Sequence, residues 1–215
     1  MGQFEIDPRY VIADETALRA MFDPLTGLAV HKVQRSLDRH AQEFIRRAPF
    51  LCLGTQDLAG RADVSPRGDP VGFVQILDEQ TLAIPDRTGN NRLDSLVNIL
   101  ANPSVGLLFI IPGFDDTLRV AGEASLVTDP AILSTMEVNG KVPKLAILVH
   151  VTEVFMHCAK AFRRSHLWDP AHFQDRKAMP SLSKIIYDQT GAPKGEDEMA
   201  KIDAELEEEY KQTMY

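Results

Sequence analysis

At Pro49 the hydrophobic period of this chain changes, and that change limits the folds open to it. Before it, Leu37, Ala41, Phe44 and Ile45 repeat at helical spacing between about Ser36 and Arg47. After it come short β-prone runs separated by Gly, Pro and Asp: FLCLGT (50–55), RADVSP (61–66), FVQIL (73–77) and TLAIP (81–85). Three longer runs follow, SVGLLFII, TLRVAGEASLVT and LAILVHVTEVFMHC. One long helix interrupts them, NRLDSLVNILAN (91–102), with Leu93, Leu96, Val97 and Leu100 as its expected apolar stripe and Pro103 beyond its end. A short helix around Pro130 to Glu137 separates the last two strands. Seven strands around a single long helix predict a mainly β fold with flanking helices, a small closed or partly closed barrel rather than a βαβ sheet. No internal linker divides the chain. The expectation is one domain, 1–215, with helical extensions over about 1–49 and about 171–215. In the first, Asp14 is placed to cap a short helix carrying Leu18, Met21 and Phe22.

Composition narrows the partners. A net charge of -8 repels polyanions, so neither nucleic acid nor an anionic membrane is expected. Much of that charge lies in residues 194–215, where eight acids face three lysines. There Met199, Ile202, Leu206 and Tyr210 form a narrow apolar stripe, the pattern of a peripheral helix docked by one edge. Only two cysteines occur, Cys52 and Cys158, both in apolar runs, which argues against a disulfide framework; Cys158, next to His157 in a strand, reads as a plain buried thiol rather than half of a thiolate–imidazole pair. No apolar run approaches the ~20 residues of a membrane span, and MGQFEIDPRY lacks the basic head and apolar stretch of a signal peptide. The expected location is cytoplasmic.

Familiar cofactor and hydrolase motifs are missing: no G-x-G-x-x-G, G-x-x-x-x-G-K-[ST], C-x-x-C, H-E-x-x-H or G-x-S-x-G occurs. The six histidines show no i,i+4 pair with a helpful carboxylate, so no metal site is expected. Three polar segments remain. Asp63 to Pro70 reads either as a turn or as a strand end presenting Ser65 and Arg67. Ile84 to Arg92 leaves a strand and opens a helix; a helix start favours an anion, and Arg87 and Arg92 add the charge a phosphate needs. Ordinary N-capping by Asn90 or Asn91 explains the same residues equally simply. His157 to Pro170 holds the only tryptophan beside several basic residues, which suits either a flat ring or a basic helix end.

In order along the chain stand P-F-L-C-L-G-T (49–55), D-V-S-P-R-G-D (63–69), I-P-D-R-x-G-N (84–90), R-L-D-S-L-x-N-I (92–99), N-P-x-V-G-L-L-F (102–109), L-R-V-x-G (118–122) and R-S-x-L-W (164–168). Together, over about residues 30–170, they resemble the pyridoxamine 5'-phosphate oxidase-like family of FMN-binding split barrels, and its "pyridoxamine 5'-phosphate oxidase-related" branch above all. The resemblance implies a Greek-key split β-barrel, homodimeric, with FMN in clefts at the subunit interface. It places Ser65 and Arg67 near the flavin and its ribityl phosphate chain, and Asp86 and Arg87 along the same cleft. Asn90, Asn91, Arg92 and Ser95 would hold the phosphate. Lys160, Arg164, Ser165 and Trp168 would reach or close over the partner's flavin. The chain departs from true pyridoxamine oxidases: S-P-R-G-D replaces their Arg and Lys strand pattern, and Asp94-Ser95 replaces the Arg-Lys pair at their phosphate-binding helix.

The resemblance therefore implies FMN binding more firmly than pyridoxamine phosphate oxidation. The leading expectation is an FMN-dependent oxidoreductase acting on a small molecule or accepting hydride from a nicotinamide donor, with no catalytic residue named. A flavin carrier or sensor without turnover is the alternative. A third use of the fold, for haem or a deazaflavin, is disfavoured by the lack of a ligand cluster and by the short arginine-bearing loops.

Overall fold

The structure, a computed structural model, describes residues 4–24, 27 and 31–215. The first residues of the N-terminal segment, and residue 30 where the family-like stretch begins, lie outside them. The chain forms two compact units, Met1–Val33 and Gln34–Tyr215. In the first, Asp7 caps a 3₁₀ turn at Pro8–Tyr10. Asp14 caps helix α1 (Glu15–Arg19), accepting from the Ala17 N–H. This helix is shorter than the apolar spacing predicts: Leu18 lies on it, whereas Met21 and Phe22 fall beyond its end.

The second unit is built on the seven strands that the period change predicts: β1 (Phe50–Gln56), β2 (Ala62–Gly68), β3 (Gln75–Asp78), β4 (Thr81–Pro85), β5 (Ser104–Ile110), β6 (Thr117–Val127) and β7 (Ala146–His157). They form one sheet in the order β2-β1-β5-β6-β7-β4-β3, every neighbouring pair antiparallel. Alternation sends Leu51 and Leu53 of β1, Leu107 and Phe109 of β5, Leu118 and Val120 of β6 and Val149 and Val151 of β7 to the inner face. A bulge between Ala121 and Gly122 shifts the β6–β7 register. There only glycine fits, because a Cβ on Gly122 would overlap the His150 carbonyl oxygen.

Helix α2 (Arg39–Arg47) starts at Asp38, whose carboxylate accepts from His40 and Ala41 N–H groups, and buries Ala41, Phe44 and Ile45 in the core. Helix α3 (Asp94–Ala101) departs from expectation. Its buried face is Ser95, Leu96 and Ile99, while Leu93, Val97 and Leu100 of the expected stripe are exposed. The reason is its docking. Ser95 and Asn98 both bond to the strands, Asn98 Nδ2 donating to Thr55 Oγ1 of β1 at 3.1 Å, and this turns the 95/96/99 face inward. Short helix α4 (Pro130–Leu133) continues as a 3₁₀ turn to Met136. Helix α5 (Lys160–Ser165) follows β7, and α6 (Leu182–Gln189) and α7 (Glu196–Thr213) close the chain. On α7 only Met199 is buried, Ile202 and Leu206 are half-buried and Tyr210 is exposed. Among the described residues no helix is long and apolar enough to cross a membrane.

Candidate functional site

Edge strand β2 supplies the floor of the candidate site. The sequence reads the stretch from Asp63 as either a turn or a strand end; the strand runs on through Pro66 to Gly68. Proline is tolerated because β2 ends the sheet, where an N–H on the free side is not needed. Alternation then places Asp63, Ser65 and Arg67 on one half-buried face, with Asp69 following, while Val64, Pro66 and Gly68 point to the exposed face.

The segment leaving β4 and opening α3 answers this row. Arg67 Nη1 donates to Asp86 Oδ1 at 2.7 Å, with both side chains about one-fifth exposed. Arg87 Nε donates to Asp69 Oδ2 at 2.5 Å, and its Nη2 to the Met136 carbonyl at 2.8 Å. Ser95 Oγ donates to Asp63 Oδ2 at 2.7 Å. Arg92 stands out into solvent, its Nε bonded to Asp94 at 2.8 Å. Asn90 does not cap the helix; its Oδ1 accepts the Arg92 N–H at 3.1 Å. Asn91 and Leu93 adopt left-handed backbone, and Leu93, just before α3, gives the helix no side-chain cap.

Two members of this group escaped the sequence reading. Asp69 is all but inaccessible, its side chain 1% exposed. Tyr215, at the far end of the chain, donates its phenol to Asp69 Oδ1 at 2.8 Å and lays its ring against the Arg87 guanidinium, 5.6 Å away. The hydrogen bond to Asp69, with burial and the carboxylate's charge adding to it, raises the Tyr215 phenol above its usual value, and Arg87 partly opposes the shift. Nothing local in the sequence pairs the two residues, because 146 positions separate them.

A flavin mononucleotide asks such a site for donors to a phosphate. The Nε of Arg67 is buried and has no partner, and the start of α3 has no side-chain cap. With Ser65 on the same face as Arg67, these residues fit an anion. Arg87 fits less well, because its donors are engaged by Asp69 and Met136.

Lys160, Arg164, Ser165 and Trp168 are not brought to this group. Ser165 Oγ donates to the Phe162 carbonyl. Trp168 donates from Nε1 to the Phe114 carbonyl at 2.8 Å and packs on Phe162, and the neighbouring Arg163 pairs with Asp115. Among the described residues no hydrogen bond or ion pair joins the α5 segment to β2 or α3. Beside it, a groove of about 450 Å³ runs over the outer face of β1, β5, β6 and β7, lined by Gly54, Gly106, Arg119, Phe155 and Cys158 among others. Cys158 corrects the sequence reading: it is exposed, not buried, because it lies one residue past the end of β7.

No curated protein matches the chain. Among solved structures it is similar to HupZ of Group A Streptococcus (20% identity over 55% of this chain and 92% of that one, TM-score 0.45). It is also similar to an FMN-binding protein of Syntrophomonas wolfei (12%, 54% and 88%, 0.41) and to HutZ, the heme storage protein of Vibrio cholerae (17%, 58% and 94%, 0.42). Residues 37–158, more than half the chain, match the family model described as pyridoxamine 5'-phosphate oxidase, and the chain belongs to that family.

Proposed function

We propose that this chain binds FMN and works as a flavin-dependent oxidoreductase on a small molecule, as a homodimer with the flavin at the subunit interface. The observation that carries the reading is the buried, unpartnered Nε of Arg67 on the same strand face as Ser65; the uncapped start of α3, which Ser95 ties to Asp63 of that strand, adds free N–H groups. Arg67 and Ser65 bind the phosphate end, Asn90, Asn91 and Arg92 approach it from the loop before α3, and Asp86 holds the Arg67 fork in place. Ser95 anchors α3 to Asp63 and so fixes the position of the helix start. FMN, when bound, supplies hydride exchange at its ring.

The dimer is supported by what one chain leaves unjoined. Lys160, Arg164, Ser165 and Trp168 have no bond to the β2 group of their own chain, and a partner's copy of that segment would complete the cleft. The groove on the outer sheet face offers a surface for the second copy.

One observation favours a carrier without turnover. Asp63, Asp69, Asp86 and Asp94 are each engaged by an arginine or a hydroxyl, which leaves none of them free as a proton acceptor. The test begins with the visible spectrum of the purified protein and chromatography of whatever it releases on denaturation. FMN released from the protein, bleached by NADH or NADPH at a catalytic rate, is the expected result. Bound FMN that no donor reduces leaves the carrier reading. A colourless chain that fails to take up added FMN overturns both.

A further inference from the structure

We infer that His166, Asp169 and His172 form a binding site for a borderline divalent transition-metal ion of the Zn²⁺ class, with water completing its shell. One ring nitrogen from each histidine and a carboxylate oxygen of Asp169 all lie within 4.8 Å of one another. His172 Nδ1 and Asp169 Oδ2 are 3.0 Å apart. Donors bonded at about 2.0–2.1 Å in neighbouring positions on one ion are separated by about 3 Å, so this pair already has the spacing of two ligands.

The backbone holds the three residues together. His166 ends α5 in left-handed conformation, φ 51° and ψ 36°, with its N–H on the Arg163 and Phe162 carbonyls. That reversal lays its ring on the His172 ring, centroids 4.2 Å apart and planes 10° from parallel. Asp169 caps the 3₁₀ turn Pro170–His172, its Oδ1 accepting the Ala171 N–H at 3.0 Å, and Pro170 restricts the turn further. Bringing His166 onto the ion takes a rotation of an exposed side chain rather than a movement of the fold.

The donor set selects the ion. Two imidazoles with one carboxylate suit zinc, nickel, cobalt or iron, whereas magnesium and calcium prefer oxygen alone. All three residues are exposed, which leaves positions for water. An Asp–His hydrogen bond by itself accounts for His172 but gives no reason for the second imidazole to stack upon it. The i, i+3, i+6 spacing escapes a search for histidines four apart on a helix, because a left-handed residue and a 3₁₀ turn lie within it. The inference is independent of the flavin reading.

Tag-free protein titrated with Zn²⁺ against a chromophoric chelator tests it, with Co²⁺ as a spectroscopic substitute. The expected result is one equivalent bound, with affinity reduced about tenfold or more in both His166→Gln and His172→Gln and unchanged in His40→Gln. Each variant is checked for folding by circular dichroism. Absence of saturable uptake, wild-type affinity in both variants, or a loss confined to one of them overturns the site.

Discussion

The face of β2 from Asp63 to Asp69 and the segment from Lys160 to Trp168 carry similar residues, arginines beside hydroxyls, and their surroundings separate them. On β2 the ion pairs sit at side-chain exposures of 17% and 20% for Arg67 and Asp86, and 16% and 1% for Arg87 and Asp69. On α5, Arg163 bonds to Asp115 at 74% and 33%. A nearly buried charge pair is strongly coupled, because losing one partner strands the other away from water; an exposed pair is screened and contributes little. The same residue types thus build a rigid polar floor in one place and a replaceable surface in the other.

The sharpest way to break this comparison is Arg87→Met. It leaves Asp69 buried with only the Tyr215 phenol, and the expected loss is about 3–5 kcal/mol, read as a fall in Tm of roughly 10 °C. A fall of no more than a degree or two would make the two regions alike. Arg67→Ala comes next. Removing a charge-assisted contact to phosphate should weaken FMN binding about tenfold to a hundredfold, measured by flavin fluorescence; unchanged affinity removes Arg67 from the cofactor site.

Tyr215→Phe sharpens the boundary of the buried region. It deletes one hydrogen bond to Asp69, at an expected cost of about 1 kcal/mol in urea unfolding. The pH dependence gives a second reading. The folded phenol titrates above its unfolded value of about 10, so its contribution is complete below pH 10 and disappears as pH rises through the folded value. Wild type should therefore lose stability above pH 10 faster than Tyr215→Phe, and parallel curves would remove the phenol–Asp69 bond from the account. The smallest effect belongs to Arg163→Gln, within about 0.5 kcal/mol of wild type. A larger loss there would show that the α5 segment is tied to the body more firmly than its exposure implies.

The seven strands were legible because their alternation is local: Leu51, Leu53 and Thr55 declare the inner face of β1 without reference to any other strand. Ser65 and Arg67 were legible as candidates through the D-V-S-P-R-G-D motif, whereas the strand face they share was not, because the β-prone run reads as ending at Pro66. The pairing partners were not. Sequence reading pairs Arg87 with Arg92 as the charges a phosphate needs, whereas the fold binds Arg87 to Asp69 and Met136. The α3 stripe was misread because helical spacing allows several faces, and the face chosen depends on what Ser95 and Asn98 meet across the gap.

The sequence by itself determined the strands and the family, because these rest on periodicity, turn chemistry and motifs within a few residues of each other. Only the tertiary structure decided which carboxylate neutralises which arginine, that Tyr215 seals Asp69, and that two histidines meet over Asp169. Those outcomes follow from distances across the folded chain, where burial sets the strength of each charge interaction, and neither the distances nor the burial is written in any local stretch.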